Sequence, residues 1–290
     1  MRRITLISSI AIALLLAGHS VCLADETGGA TSLFRWERAN ALVFAVFFAV
    51  TILWSISQAK RGKKLYIRPI NGLSAMDDAV GRATEMGKPV YFIPGTGELD
   101  EILTIAGMTV LGHVSHLAAR ARTTMRVPVL YPLALAAARE TVEQSYRDEG
   151  ITDPLDPQTV QYVAGESFSY SARVGGMMSR EKPAAAIYMG QFHAESLLIA
   201  EMGNSVGAIQ IAGTSEPEQL PFFIAACDYT IMGEEFFAAT AYLSNEPRML
   251  GALRGQDIIK IVIALAIIAG VVSVTFGWGH EFWDTILHAE

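Results

Sequence analysis

The strongest constraint in this sequence is that its longest apolar stretches form three separate runs near the ends of the chain. They span residues 4–17, 41–56 and 258–276 of 290. The last run contains one charged residue, Lys260, close enough to its start for the ammonium group to reach the membrane surface. Crossing a bilayer takes about 17–25 apolar residues. The sequence therefore predicts a membrane protein with roughly 200 residues between its last two runs.

The first run is typical of a secretory signal peptide. Arg2 and Arg3 precede it, and small residues follow it up to Ala24, where a signal peptidase could cut. Residues 1–24 are therefore predicted to be a signal peptide and residues 25–40 an exported segment. An uncleaved signal anchor is the alternative, and it leaves the predicted orientation of the chain unchanged.

The distribution of Lys and Arg predicts the orientation of the two remaining spans, residues 41–57 and 257–277. Five basic residues lie between Lys60 and Arg68, whereas no Lys or Arg follows the last run. By the positive-inside rule, residues 58–256 form a cytoplasmic domain, and residues 278–290 are exported like the N-terminal segment. We expect a bacterial inner (plasma) membrane protein with both termini outside.

Small residues recur every fourth position in both spans, a spacing that lets helices approach closely. The expected partners are therefore the lipid bilayer and either a second copy of this chain or other membrane proteins. No nucleic-acid partner is expected, because the net charge of −7 argues against binding through phosphate contacts. A high frequency of alanine in apolar helices would explain the same spacing without any pairing. The positions concerned are Ala41, Ala45, Ala49, Ala266 and Gly270.

Residues 58–256 alternate short apolar runs with longer helical stretches. This alternation predicts an α/β domain with a mostly parallel, Rossmann-like doubly wound sheet covered on both faces. The strands are predicted at Leu65–Ile70, Val90–Ile93, Arg126–Leu130, Val160–Val163, Ala184–Met189, Ala208–Ala212 and Phe222–Ala226. The helices are predicted at Ser74–Met86, Glu101–Arg122, Leu133–Glu149, Ser167–Ser179, Ala194–Met202 and Glu234–Leu243.

Three stretches of this domain carry a resemblance to a known family. Residues 78–87, 207–214 and 228–235 are similar to those of an uncharacterised bacterial membrane family, a domain of unknown function. The resemblance covers about residues 65–275, including the last span. It implies no activity and transfers no catalytic residue.

Loops that follow the predicted strands combine glycine with hydroxyl and carboxylate side chains. Ligands of parallel sheets bind outside the carboxyl ends of the strands, so this edge is the expected ligand site. Helix capping would explain the same residue types. The candidate ligand-edge residues are Thr96, Glu98, Glu166, His193, Glu195, Thr214, Asp228 and Glu234.

No cofactor and no metal site is predicted from these loops. Gly95-Thr96-Gly97 begins like a dinucleotide fingerprint, but Asp100 occupies the position of the third glycine. The loops contain no Lys or Arg, so a phosphate could be held only by backbone N–H groups. Cys227 lies in an apolar stretch, which is typical of an inert buried thiol.

Three functions remain open on the sequence alone. The first is a non-enzymatic one, in which the tethered domain binds a small ligand or a partner protein within a membrane complex. The absence of a complete catalytic motif favours it over an enzyme. The second is a carboxylate- and histidine-based hydrolase or lyase, and the third is a nucleotide sensor. The enzyme requires convergence of five side chains, those of Glu98, Glu166, His193, Glu195 and Asp228.

Overall fold

The computed structural model describes residues 39–61, 70–153, 155–244 and 246–275. The predicted signal peptide lies outside the described residues. Contacts divide the chain into two compact units, one within residues 1–65 and 247–290 and the other within residues 66–246. The predicted domain boundaries at residues 58 and 256 stay predictions.

The first unit is a pair of long helices, α1 (Ala39–Lys60) and α9 (Pro247–Thr275). They pack closely because two glycines of α9 meet the backbone of α1. A Cβ added at Gly251 would lie 2.6 Å from Cα of Ile56, and one added at Gly255 would lie 3.0 Å from Cα of Ile52. The two contacts run in opposite directions along the chain, so the helices are antiparallel.

This helix pair uses residues other than the predicted small positions. Thr51, Ser55 and Ala59 form the buried face of α1, at a spacing of four residues. Ala45 and Ala49 of α1 and Ala266 of α9 are exposed. The sequence Gly251-x-x-x-Gly255 at the start of α9 therefore provides the close approach that had been expected further along that helix.

The second unit alternates helices and strands, and most of the predicted elements are confirmed within one to three residues. Its helices and strands are α2 (Asn71–Met86), β1 (Val90–Ile93), α3 (Ile102–Ala121), β2 (Met125–Val129), α4 (Pro132–Asp148), β3 (Val160–Tyr162), α5 (Ser167–Glu181), β4 (Ala185–Met189), α6 (Glu195–Ser205), β5 (Ile209–Thr214), α7 (Leu220–Ala226), β6 (Tyr229–Met232) and α8 (Glu234–Ser244).

The six strands form one parallel sheet in the order β3-β2-β1-β4-β5-β6. β1 lies at the centre, where Val90 is paired with Met125 of β2 on one side and with Ala185 of β4 on the other. The chain order reverses between β1 and β4. In parallel sheets, ligands bind at the carboxyl edge where the chain order reverses.

Helices cover both faces of the sheet, as the near-continuous apolar strands predicted. On β1, Val90 and Phe92 face one apolar core, whereas Tyr91 and Ile93 face the other. The first core includes residues of α2, α3, α4 and α8, and the second includes residues of α5, α6 and α7. All four residues of β1 are completely buried.

Helix α3 is the central helix of the first core. Together with α9, it is one of two helices among the described residues that are long and apolar enough to cross a membrane. In α3, 61% of the apolar window is buried, compared with 6% in α9. The apolar helix Phe44–Lys60 within α1 is shorter. The burial of α3 identifies it as a core helix of the α/β unit.

One predicted strand is wrong. Residues Phe222–Ala226 belong to helix α7, and the neighbouring strand β6 follows at Tyr229–Met232. A short apolar run does not reveal its own periodicity, and Pro221 in the first turn favours a helix. Most of the predicted strand Leu65–Ile70 lies outside the described residues, and Ile70 immediately precedes α2.

Candidate functional site

Two glycine turns meet at the carboxyl edge of the sheet, one after β1 and one after β4. Gly95 has φ +89° and Gly190 has φ +137°, values that L side chains rarely adopt. A Cβ on Gly190 would lie 2.5 Å from the carbonyl oxygen of Pro94. The amide of Thr96 also donates to the carbonyl oxygen of Gln191 at 2.7 Å. These glycines therefore let the two loops pack backbone to backbone.

A buried carboxylate joins the same two loops. Glu195, the first residue of α6, is 1% exposed and accepts hydrogen bonds from the Thr96 hydroxyl and from the His193 amide, the latter at 3.0 Å. Its position in the first helical turn places negative charge at the positive end of the helix dipole. These contacts explain how a carboxylate is stabilised in the interior of the domain.

Beside this junction, two buried oxygen atoms have no hydrogen-bond partner among the described residues. They are Oε2 of Glu101 and Oγ1 of Thr104, at the start of α3. Both lie against Gly97, where an added Cβ would overlap the Glu101 carboxylate and lie 2.8 Å from the Thr104 hydroxyl. Thr104 is 1% exposed. Buried polar groups are normally hydrogen-bonded, so unpartnered acceptors need an explanation.

We call Thr96, Gly97, Glu101, Thr104 and Glu195 the switch-point cluster. Burial is the main cause that raises the pKa of Glu101, followed by the negative charge of Asp100. Glu98 and Glu216 raise it further, while His193 lowers it. These electrostatic effects show that loops following β1, β4 and β5 bring charged groups towards the same point.

Four of the predicted ligand-edge residues, Thr96, Glu98, His193 and Glu195, therefore lie in or beside the cluster. Sequence reasoning missed Glu101 and Thr104. Glu101 was taken as the first residue of a helix, which explains its residue type without any ligand. One signal was present in the sequence: Gly97, which has no side chain, is closely followed by Glu101 and Thr104, two polar residues one helical turn apart.

Two other candidates have local structural roles. Glu166 is the N-cap of α5, where its carboxylate accepts from the amides of Phe168 at 3.0 Å and Ser169 at 2.7 Å. The hydrogen bonds from Ser169 are the main cause that lowers the pKa of Glu166. Thr214, at the end of β5, accepts from the Glu216 amide at 3.2 Å. Helix capping, the alternative considered from the sequence, accounts for Glu166.

The positions of the last two candidates, Glu234 and Asp228, relative to the sheet edge depend on where the sixth strand lies. Glu234 follows β6 and occupies the exposed first turn of α8. The predicted location of Asp228 is wrong, because this residue precedes β6 and so lies at the amino edge of the sheet. There its carboxylate accepts from the backbone N–H of Gln210 at 2.8 Å. The error follows directly from the misplaced strand.

The family of the chain is settled by comparison with known proteins. A family model described as "Domain of unknown function (DUF6754)" matches residues 29–285. The chain belongs to this family. No curated protein and no solved structure matches it. The expected resemblance to a domain of unknown function is thereby confirmed.

In this DUF6754 chain, the five side chains required by the predicted enzyme do not converge. Glu166 is held by the amides of its own helix, and Asp228 lies at the opposite edge from Glu195. Within the described ranges, no group of three or more His, Cys, Asp or Glu could hold a metal ion. Burial raises the pKa of the Cys227 thiol to about 12, so this thiol is a poor nucleophile at neutral pH.

Two clefts of the DUF6754 domain lie away from the switch-point cluster. One, of about 390 Å³, lies between the end of α4 and residues 151–153 and 155–157, and the other, of about 670 Å³, lies between β3 and α5. Arg173 in the second cleft donates to the carbonyl oxygen of Val163 at 2.9 Å. Neither cleft includes any of the predicted ligand-edge residues.

Proposed function

We propose that this chain is a membrane-anchored protein of a bacterial inner membrane whose cytoplasmic α/β domain binds a small ligand at the switch-point cluster. The observation that carries the proposal is the pair of buried, unpartnered oxygens of Glu101 and Thr104 beside Gly97. A ligand that donates hydrogen bonds would satisfy both atoms. Binding fits the cluster better than catalysis, because its hydrogen-bonded hydroxyl and carboxylate, Thr96 and Glu195, are buried within the junction of the two loops.

Membrane anchoring is supported by the exposure of α9. Large apolar side chains cover its surface along most of its length, for example Ile261 and Leu265, each 61% exposed. Exposed apolar surface of this extent is unfavourable in water and favourable in lipid. The basic residues that follow α1, and Arg248 and Arg254 in the first turns of α9, support the cytoplasmic location of the intervening domain. Both chain termini are then outside.

The ligand edge is supported by the strand order. The order β3-β2-β1-β4-β5-β6 is that of doubly wound dinucleotide-binding folds, and it supports a Rossmann-like classification of this sheet. In such folds the ligand lies where the chain order reverses, which is where the switch-point cluster lies. A nucleotide is less well supported than other ligands, because Glu101 precedes the helix whose N-terminus would bind a phosphate.

Ligand binding is tested by thermal unfolding of the full-length chain in detergent, in the presence of a panel of amines, amino acids, nucleotides and simple anions. A ligand of the native state raises the melting temperature. We expect at least one class to do so in the unmodified chain but not in the Gly97→Ala variant, whose new methyl group displaces the Glu101 carboxylate.

Gly81→Ala is the matched control, since a Cβ at Gly81 meets no atom within 4 Å. This variant should keep the ligand response of the unmodified chain. A panel in which no class stabilises the unmodified chain, or in which Gly97→Ala responds as strongly as Gly81→Ala, would reject the switch-point cluster as a binding site.

The proposed topology is tested separately with reporter fusions. A fluorescent protein that folds only in the cytoplasm should be active when it is fused after residue 246, and inactive when it is fused after residue 290. Alkaline phosphatase, which is active only outside the cytoplasm, should give the opposite pattern. Phosphatase activity after residue 246 would contradict the cytoplasmic location of the domain.

Association within the membrane is the third part of the proposal. Exposed Ala45 and Ala49 leave a face of α1 that can approach another helix closely, in a second copy of the chain or in another membrane protein. Light scattering of the purified protein in mild detergent measures its mass. A strictly monomeric protein without a co-purifying partner would contradict this part of the proposal.

A further inference from the structure

We propose that the ligand of the switch-point cluster carries a protonated amine, whose N–H groups are accepted by Glu101 Oε2 and Thr104 Oγ1. This inference rests on the proposed function and specifies its ligand class.

The two acceptors face the same space. The Glu101 oxygen lies on the position that a Gly97 Cβ would occupy, and the Thr104 oxygen lies 2.8 Å from that position, so the two unpartnered oxygens are close neighbours beside the same glycine. The Thr104 side chain is almost completely buried and still unpartnered. A carboxylate is an acceptor only, so the missing partner of Glu101 must be a donor. A primary ammonium group has three N–H donors and can serve two acceptors at once.

The charge around this space is negative. Glu98, Asp100 and Glu101 belong to the loop after β1, Glu195 follows β4, and Glu216 follows β5. None of the loops that follow the six strands contains Lys or Arg, and His193 is their only histidine. An amine would add the positive charge that the cluster lacks, in a partly desolvated site where such a charge is most effective.

Phosphate and metal ligands fit these observations less well. A phosphate at the start of α3 would lie beside the Glu101 carboxylate, with no basic side chain in any of the six loops. A divalent cation needs several oxygen ligands around one point. The described part of the chain holds no group of three metal-ligating acids, histidines or cysteines. A protonated amine needs hydrogen-bond acceptors and nearby negative charge. The cluster provides two unpartnered oxygens, and the surrounding loops provide the acidic side chains.

The test measures binding of three probes to the full-length chain in detergent by titration calorimetry, namely spermidine, ATP and MgCl₂. We expect spermidine to bind the unmodified chain, and its affinity to fall at least tenfold in both Glu101→Gln and Thr104→Val. The control is Glu140→Gln, which removes one exposed carboxylate from α4, away from the cluster, and should bind spermidine as the unmodified chain does.

The outcomes separate this inference from the proposed function. If ATP or Mg²⁺ binds the unmodified chain and loses at least tenfold in affinity in Thr104→Val, while spermidine does not bind, the proposed ligand class is wrong. The switch-point cluster would still be a binding site. If spermidine binds equally well to Glu101→Gln and to the unmodified chain, it is attracted only to the acidic surface, and the inference fails. If Gly97→Ala also leaves the response to every probe and to the wider panel unchanged, the site itself is rejected. Circular dichroism identifies a variant that fails to fold, and the other substitution then decides.

Discussion

Helices α3 and α9 are similar in hydropathy but differ in what surrounds them. Both are long and apolar enough to cross a membrane, yet most of the apolar window of α3 is buried against protein, and almost none of α9 is. α3 packs between α2, α4 and α8 and against β4, whereas α9 packs along α1 through two glycines. Hydropathy alone therefore does not distinguish a core helix from a helix whose apolar side chains are exposed. The neighbouring sequence does, because α3 lies between two strands of one sheet.

The largest expected effect comes from placing the same charge in each helix. Val110 of α3 is completely buried, and Val110→Arg introduces an unpaired charge into the core. We expect a loss of about 3–5 kcal/mol or more, a large part of the stability of a typical domain. Thermal unfolding followed by circular dichroism should show a strongly lowered melting temperature or no folded domain.

Ile267→Arg is the corresponding change in α9, at a residue that is 61% exposed. Here we expect the domain to unfold as in the unmodified chain, and membrane insertion to become less favourable by about 2.5–3.5 kcal/mol. Resistance of the protein to alkaline extraction from membranes measures the insertion. If Ile267→Arg resists extraction as the unmodified chain does and its domain is destabilised, α9 behaves as a core helix like α3. That result would contradict the difference between the two helices.

A smaller effect is expected from adding one methyl group within α3. A Cβ at Gly107 would overlap the carbonyl oxygen of Met189 in β4, which is backbone and cannot move alone. Gly107→Ala should therefore lower the free energy of unfolding by about 1–3 kcal/mol, measured by urea denaturation.

The matched control is Gly112→Ala in the same helix, where the nearest atom would be Cγ2 of Thr141 at 3.4 Å. This change should be neutral, or should stabilise the domain by up to about 1 kcal/mol through helix propensity. Equal effects of the two substitutions would mean that α3 does not pack as closely on β4 as the structure shows.

In α9, the corresponding close approach is at Gly251. Gly251→Ile should separate α1 from α9, since even a Cβ there would lie 2.6 Å from Cα of Ile56. Spin labels at Ser57 and Arg248, in a cysteine-free background, should report a longer and broader distance by pulsed EPR. Ala264→Ile, at an exposed position of α9, should leave that distance unchanged. The domain should keep its melting temperature in both variants.

The sequence was sufficient to predict the parts of the fold that depend on local pattern. The buried strand Val90–Ile93 and the helices on either side of it were located within three residues, because apolar runs and helical stretches alternate clearly there. Phe222–Ala226 was assigned wrongly because five apolar residues fit a helix as well as a strand. That single error also misplaced Asp228.

The candidate site was predictable only in part. Parallel strands place their carboxyl ends together, so Thr96, His193 and Glu195 could be assigned to one edge from strand order alone. The roles of Glu101 and Thr104 depend on how the loop at Gly97 packs against the start of α3, and the short spacing between Gly97 and these residues is compatible with that packing but does not determine it. Likewise, the sequence allowed both helix capping and ligand contact for Glu166, and only the structure shows that its carboxylate accepts from the amides of its own helix.

The smallest expected effect concerns the start of α3. Burial raises the pKa of Glu101 at the start of α3 above its usual 4.5, so the folded state disfavours the ionised carboxylate. Below pH 4.5 the carboxyl is protonated in both the folded and unfolded states and contributes no penalty. As the pH rises through the raised pKa, stability is lost. Glu101→Gln should therefore be more stable than the unmodified chain at pH 7, in the absence of ligand, and the difference should shrink as the pH falls towards 4.5. Urea denaturation of both proteins across this range measures the difference, with Glu140→Gln as the exposed control. If the two proteins differ in free energy of unfolding by the same amount at every pH, the Glu101 carboxylate is solvated in the folded state. The start of α3 would then be open to water and not buried.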